Sequence, residues 1–239
     1  MKILPAIDII DGKTVRLERG KYNKKLSYDI SPVDAAREWE SMGADMLHVI
    51  DLDGAKEGKP VNLSVIKEIA HSVSIPIEVG GGYRKESDIK KALNMGIARV
   101  IVGSKALEEP EFGRSVIENF KDRVIISVDA DRYELRVRGW KKGIAADIFD
   151  VFARLRSYGA KRIIYTDISK DGTLSGPDKK LLKDILDRSK LKMIYAGGIK
   201  SVAHVKELKK LEKHGLSGAI IGRALYDGTI DLAEAIDVS

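Results

Sequence analysis

Cysteine is absent from this chain of 239 residues, which excludes disulfides, thiolate metal sites and thiol nucleophiles. Histidine is scarce. His48, His71, His204 and His214 form no pair and no carboxylate cluster at metal-ligand spacing, so no metal is expected. Aromatic residues make up 6% of the sequence, and neither an aromatic nucleic-acid motif nor zinc-finger spacing accompanies the basic residues. No apolar run approaches the ~20 residues that span a bilayer, and Met1-Lys2-Ile3-Leu4-Pro5 lacks the apolar segment of a signal peptide. A cytoplasmic protein working away from membranes and nucleic acid is the expectation. The dinucleotide fingerprint G-x-G-x-x-G is also missing after the first strand, which counts against an open doubly wound sheet.

What is present is a chain 44% apolar and close to the length of a single (β/α)8 barrel, roughly 250 residues. Its formal charge is +6 and its isoelectric point ≈ 9.2. The basic residues are dispersed, with local density at Lys21 to Lys25, Arg136 to Lys142 and Lys206 to Lys213. They read as solvated surface, with a minority attracting a phosphorylated small molecule.

The chain is organised around Ile3-Leu4-Pro5-Ala6-Ile7-Asp8, an apolar run ending in a carboxylate and followed by the turn-forming Asp11-Gly12. About half the chain later, Val124-Ile125-Ile126-Ser127-Val128-Asp129 repeats the pattern, and Leu135-Arg136-Val137-Arg138 then matches Thr14-Val15-Arg16-Leu17. Three further pairs recur at nearly the same offset: Asp51 with Asp167, Gly81 with Gly197, and Gly103 with Gly222. Such a period reads as duplication of a half-barrel, about 1–120 and 121–239, each half with four strand-helix units. Eight parallel strands joined by crossovers close into one barrel domain without an exposed edge.

Helices are expected over Pro32 to Met42, capped by Ser31, after Asn62 as the next cap, from Pro110 to about Asn119, across Ile148 to Leu155, from Asp178 to Arg188 and from Ser201 to Lys213. Leu52 to Pro60 reads as a loop. Glu18 to Asp29, Tyr133 to Ile144 and Ser169 to Pro177 are polar and Gly-containing; the first reads as a long loop and lid, the second as a hairpin and loop through Trp140 and Gly143, and the third as a loop.

In a barrel all strands end at one mouth, which gathers Asp8, Gly81, Gly82, Gly103, Asp129, Thr166, Gly197, Gly198 and Gly222. Glycines that free backbone N–H groups in front of a helix bind phosphate. Two such groups, one in each half, imply a small-molecule bisphosphate. Ser104 and Arg223 would add a hydroxyl and a guanidinium, and Arg84 would reach the ligand; a helix cap and a surface ion pair are the structural alternatives for the first two. Asp8 and Asp129 stand at the rim of the core, where desolvation raises a carboxyl, and suit one acid and one base on a shared substrate. Asp51, Asp167 and Asp171 compete for secondary roles, with a turn or polar-layer role favoured for Asp51. His48 is placed beneath the mouth, Gly20 and Gly176 on mouth loops, and Trp140 where an aromatic stacks on a planar ring.

As a set, Pro5-Ala6-Ile7-Asp8, Asp11-Gly12-Lys13, His48-Val49-Ile50-Asp51-Leu52, Gly80-Gly81-Gly82-Tyr83-Arg84, Arg138-Gly139-Trp140, Thr166-Asp167, Asp171-Gly172-Thr173, Ala196-Gly197-Gly198 and Gly222-Arg223-Ala224-Leu225 resemble one family over the whole chain. It is the histidine-biosynthesis isomerase acting on phosphoribosylformimino-aminoimidazole carboxamide ribotide. A related family, the cyclase subunit of imidazole glycerol phosphate synthase, shares both aspartates, but its first strand typically reads Cys-Leu-Asp where this chain has Ala6-Ile7-Asp8. Some lineages of the isomerase also act on phosphoribosylanthranilate. Tyr83 stands where the family commonly has Ile. The resemblance implies a cofactor-free Amadori rearrangement with Asp129 as acid, Asp8 as base and Thr166 assisting; a monomer is the separate expectation. The non-enzyme alternative is a binding protein for phosphate ligands or nucleic acid.

Overall fold

The computed structural model describes residues 1–18, 20–140 and 142–239. Arg19 and Lys141, which fall within the first two of the polar, Gly-containing segments, lie outside the described residues.

The strands are β1 (Lys2–Ile10), β2 (Lys13–Glu18), β3 (Lys21–Ser27), β4 (Leu47–Asp51), β5 (Ile77–Gly80), β6 (Arg99–Val102), β7 (Val124–Asp131), β8 (Glu134–Val137), β9 (Lys142–Gly143), β10 (Arg162–Asp167), β11 (Lys192–Ala196) and β12 (Leu216–Ile221). Eight of them are parallel neighbours in the closed order β1-β4-β5-β6-β7-β10-β11-β12, with β12 returning to β1. The helices are α1 (Pro32–Ser41), α2 (Leu52–Glu57), α3 (Leu63–Ser72), α4 (Glu86–Asn94), α5 (Ser104–Glu108), α6 (Pro110–Phe120), α7 (Ile148–Ser157), α8 (Lys179–Ser189), α9 (Val202–Lys209), α10 (Arg223–Tyr226) and α11 (Leu232–Asp237). The expected (β/α)8 barrel is the fold. Among the described residues no helix is long and apolar enough to cross a membrane.

Period-two alternation decides which strand residues reach the lumen. On β1, Ile3, Ile7 and Ile9 pack outward into the large core shared with the helices, whereas Leu4 and Ala6 join Ile101, Ile125, Ile164, Ile194 and Ile220 in a smaller inner core. The next inward position on β1 is Asp8. By the same count Ile125, Ser127 and Asp129 face inward on β7, and Ile164 and Thr166 on β10. These strands therefore line the lumen with apolar residues below and polar ones at the mouth, while His48, Glu78 and Arg99 enter it side by side from β4, β5 and β6.

Three sequence expectations are corrected. Glu18 to Asp29 is not a loop: β3 pairs antiparallel with β2, which pairs with the end of β1. That loop came from reading polarity as looseness; edge pairing needs only backbone donors and acceptors. The hairpin expected after Val124 to Asp129 does form, with β8 and β9 an antiparallel extension of β7. Leu52 to Pro60 contains α2, because the Asp51 carboxylate accepts from Gly54 N–H at 2.8 Å and starts a helical turn. Asn62 precedes α3 but makes no side-chain cap there. Its amide instead donates to Asp51 Oδ1 at 2.8 Å and to Asp53 Oδ2 at 2.9 Å. Ser31 does cap α1, accepting from Asp34 N–H at 3.1 Å, and Asp178 caps α8.

Candidate active site

Asp8 ends the inward series of β1, and an ion pair fixes it there: Nη1 of Arg16, on β2, lies 2.7 Å from Asp8 Oδ2. Burial raises the Asp8 carboxyl above the usual carboxylate range, and the charges of Arg16 and then His48 partly offset this. Asp129 and Thr166 are side-by-side partners on adjacent strands. The Asp129 carboxylate accepts from Ser127 Oγ at 2.8 Å through one oxygen and from Trp140 Nε1 at 2.8 Å through the other. Trp140 thus lies folded into the mouth, its ring so close to Gly20 that a methyl at Gly20 would stand 2.6 Å from it. Gly20 and Trp140 bring the β2–β3 hairpin and the segment after β8 together over the cavity.

A cavity of about 260 Å³ opens between these groups. Asp8, Gly20, His48, Gly81, Gly82, Arg84, Gly103, Ser104, Asp129, Trp140, Thr166 and Asp171 all line it. Gly197, Gly198, Gly222 and Arg223 line a smaller adjoining hollow, which Arg16 and Asp171 share with the cavity. The structure accordingly brings together every site residue expected from the sequence except Gly176. That residue lines neither space; its N–H donates to Gly198 O at 2.8 Å, a loop-bracing role.

The bland readings hold in part. Arg223 makes an ion pair with Asp227 at 2.9 Å while donating to Gly172 O at 2.8 Å, so it braces the loop after β10. Ser104 is not the cap of α5, a position held by Gly103; its hydroxyl accepts from Arg138 N–H at 2.8 Å. Asp51 is fully buried and accepts from Gly54, Val61 and Asn62, a structural knot rather than a mouth residue. Asp167 is similarly enclosed and accepts from Ser169. Tyr83 is buried in the main core. Asp171 is the second perturbed acid of the mouth: burial, with Asp8 and Asp129 adding to it against the pull of Arg16, raises it to about 6.

Sequence reasoning passed over Arg16, Ser127 and Glu78. Arg16 lies in a stretch that alternates apolar and polar residues, and Thr14 to Leu17 is buried on both sides. Ser127 stands two residues before Asp129, and the period-two count that turns Asp129 inward also turns Ser127 inward. Among the described residues no three His, Cys, Asp or Glu converge as a metal-binding group.

A closed parallel barrel with two inward carboxylates at its mouth and glycine-lined walls on either side defines a (β/α)8-barrel protein with its site at the C-terminal ends of the strands. Comparison of sequences gives the particular family: the model of histidine biosynthesis proteins matches residues 2–231, and the chain belongs to that family. It is 42% identical over 236 residues to a Synechocystis protein, covering 99% of this chain and 92% of that one. It is 42% identical over 237 residues to a Dehalococcoides mccartyi protein, with 99% of each covered, and 43% identical over 233 residues to one from Halothermothrix orenii, with 97% of each covered. All three relatives carry the name 1-(5-phosphoribosyl)-5-((5-phosphoribosylamino)methylideneamino) imidazole-4-carboxamide isomerase.

Proposed function

We propose that this chain is the aldose–ketose isomerase of histidine biosynthesis, converting phosphoribosylformimino-aminoimidazole carboxamide ribotide to its phosphoribulosyl isomer in the cytoplasm. The observation that carries the reading is the convergence of Asp8, Asp129 and Thr166 in one cavity that reaches glycine-lined walls on both sides. A substrate with a phosphate at each end spans that distance, with the backbone N–H groups about Gly81, Gly82 and Gly103 at one end and Gly197, Gly198 and Gly222 at the other.

The chemistry then follows from position. Protonated Asp129 gives its proton to the ribose ring oxygen, the ring C–O bond breaks, and the nitrogen lone pair completes a C=N bond to the anomeric carbon. Asp8 takes the proton from the neighbouring carbon, and the resulting enol amine becomes the ketose when the former anomeric carbon is protonated. Burial suits Asp8 to this work, because a carboxylate above its usual range is a stronger base, while Arg16 keeps enough of it ionised. Thr166, beside Asp129, supplies a hydrogen bond at the opening ring. Trp140 must leave Asp129 before that acid can meet the ring oxygen, and an indole so released is placed to stack on the planar imidazole.

Purified protein supplied in turn with this aminoaldose and with phosphoribosylanthranilate tests the proposal. Ketose should form from the first. Turnover of the anthranilate compound alone would overturn the assignment of substrate.

A further inference from the structure

One layer below the proposed catalytic pair, the lumen holds a carboxylate that the reaction above does not use. Glu78 on β5 has no exposed side-chain surface, and an unpaired charge there would be costly. Strand register sets His48, Glu78 and Arg99 side by side on β4, β5 and β6. Arg99 donates to Glu78 Oε2 through Nε at 2.9 Å and also through Nη2. The other oxygen, Oε1, lies 2.6 Å from His48 Nδ1. Burial alone would raise the Glu78 carboxyl, yet His48 and Arg99 hold it below the ordinary 4.5. An ionised Glu78 can only accept, so Nδ1 carries the proton.

The second ring nitrogen has no hydrogen-bond partner among the described residues and is not sealed from the cavity, which His48 lines with Asp8. His48 pairs in register with Ala6, and Asp8 is the next inward residue above Ala6. We propose that Glu78 is a positioning residue for the isomerisation: it holds the His48 ring with Nδ1–H turned down into the barrel and Nε2 turned up to the substrate beside Asp8. With the proton held on Nδ1, Nε2 is left to accept a hydrogen bond from a sugar hydroxyl. Facing this pair are Arg16 from β2, Asp129 from β7 and Asp171 from the loop after β10, with Tyr22 and Tyr226 beside Asp8; Arg99 and Arg162 stand on the Glu78 side. None of these bonds to His48.

Because Asp8 as base is itself a proposal, the ring nitrogens are followed without turnover, by NMR of the full chain labelled with ¹⁵N-histidine. In the wild type, neutral His48 should keep its proton on Nδ1, and Glu78→Gln, whose amide can donate as well as accept, should lose that preference. The same variant should lose about tenfold in kcat/KM at neutral pH. In a His48→Gln background, Glu78→Gln should cost less than about twofold, since a positioning residue has nothing left to position. A wild-type spectrum with the proton of neutral His48 on Nε2 overturns the proposal even if Glu78→Gln fails to fold. Equal losses with and without His48 overturn it too. Near-normal turnover in Asp8→Asn with the expected His48 spectrum would instead sink the assignment of the base.

Discussion

Asp171 offers the most direct reading of charge at the scale of a single residue. Its carboxyl is held at about 6 against an ordinary 3.8, burial being the main cause. The folded chain therefore holds that proton more tightly than the unfolded one, so this contribution to stability is complete below pH 4 and is lost as pH rises through about 6. Wild type should lose up to about 3 kcal/mol between pH 4 and pH 7 that Asp171→Asn keeps. Denaturant titrations across that window check it, and a difference between the two proteins that does not change with pH contradicts the burial of this charge.

The glycines of the mouth separate in the same way. At Gly81, with φ at +108°, an added Cβ would stand 2.0 Å from the Asp51 carbonyl oxygen, so Gly81→Ala should cost about 3 kcal/mol or more. That glycine reports on folding as much as on phosphate. At Gly103 a methyl meets nothing within 4 Å and would project where a phosphate is expected. Gly103→Ala should lower Tm less than Gly81→Ala does, yet raise KM about tenfold or more, a loss of about 1.4 kcal/mol in binding. Thermal melts and steady-state kinetics on the pair decide it; an unchanged KM in Gly103→Ala would make this wall a turn and nothing more.

Among elements, the two hairpins carry the prediction about motion. The β2–β3 hairpin is anchored at its base, where Tyr28 stacks on Tyr226 with ring centroids 4.5 Å apart and its hydroxyl donates to Asp227 at 3.0 Å. Its tip at Gly20 meets Trp140. Opening is thus expected at the tips and in the loop after β10, which Arg223 braces. A bound product analogue should slow amide exchange in these segments, while the base near Tyr28 is slow already. Truncation of Trp140 to Ala should impair turnover while leaving inorganic phosphate bound almost as before. Equal exchange with and without the analogue would contradict closure.

What could be read in advance at this scale divides by physical cause. The barrel strands were legible because each is a buried, largely apolar run with Gly or Asp at or near its end, and Ser31 announced α1 by its cap. The β3 strand was not legible: Tyr22 to Lys25 is exposed along its length, so it shows no apolar alternation and exists through its pairing with β2. Arg16 escaped for the converse reason, since no local pattern reveals that a charged residue's partner will be a buried Asp8 on the neighbouring strand.

For the whole molecule, the parallel barrel sets the distances that the chemistry needs. β1 and β7 each carry an inward carboxylate near their end and run on into an antiparallel hairpin, with glycines lining the cavity itself and the adjoining hollow. We read this pairing as duplication of one half-barrel, with its acid turned to the role of base in one copy and of acid in the other. The decisive measurement is conversion of the aminoaldose bisphosphate to ketose, followed by the appearance of the ketone carbon in the ¹³C spectrum, for wild type, Asp8→Asn and Asp129→Asn. Wild type should form the ketose, and each variant should be slower by at least ~10²-fold while remaining folded by circular dichroism. Near wild-type turnover in either folded variant would contradict the account.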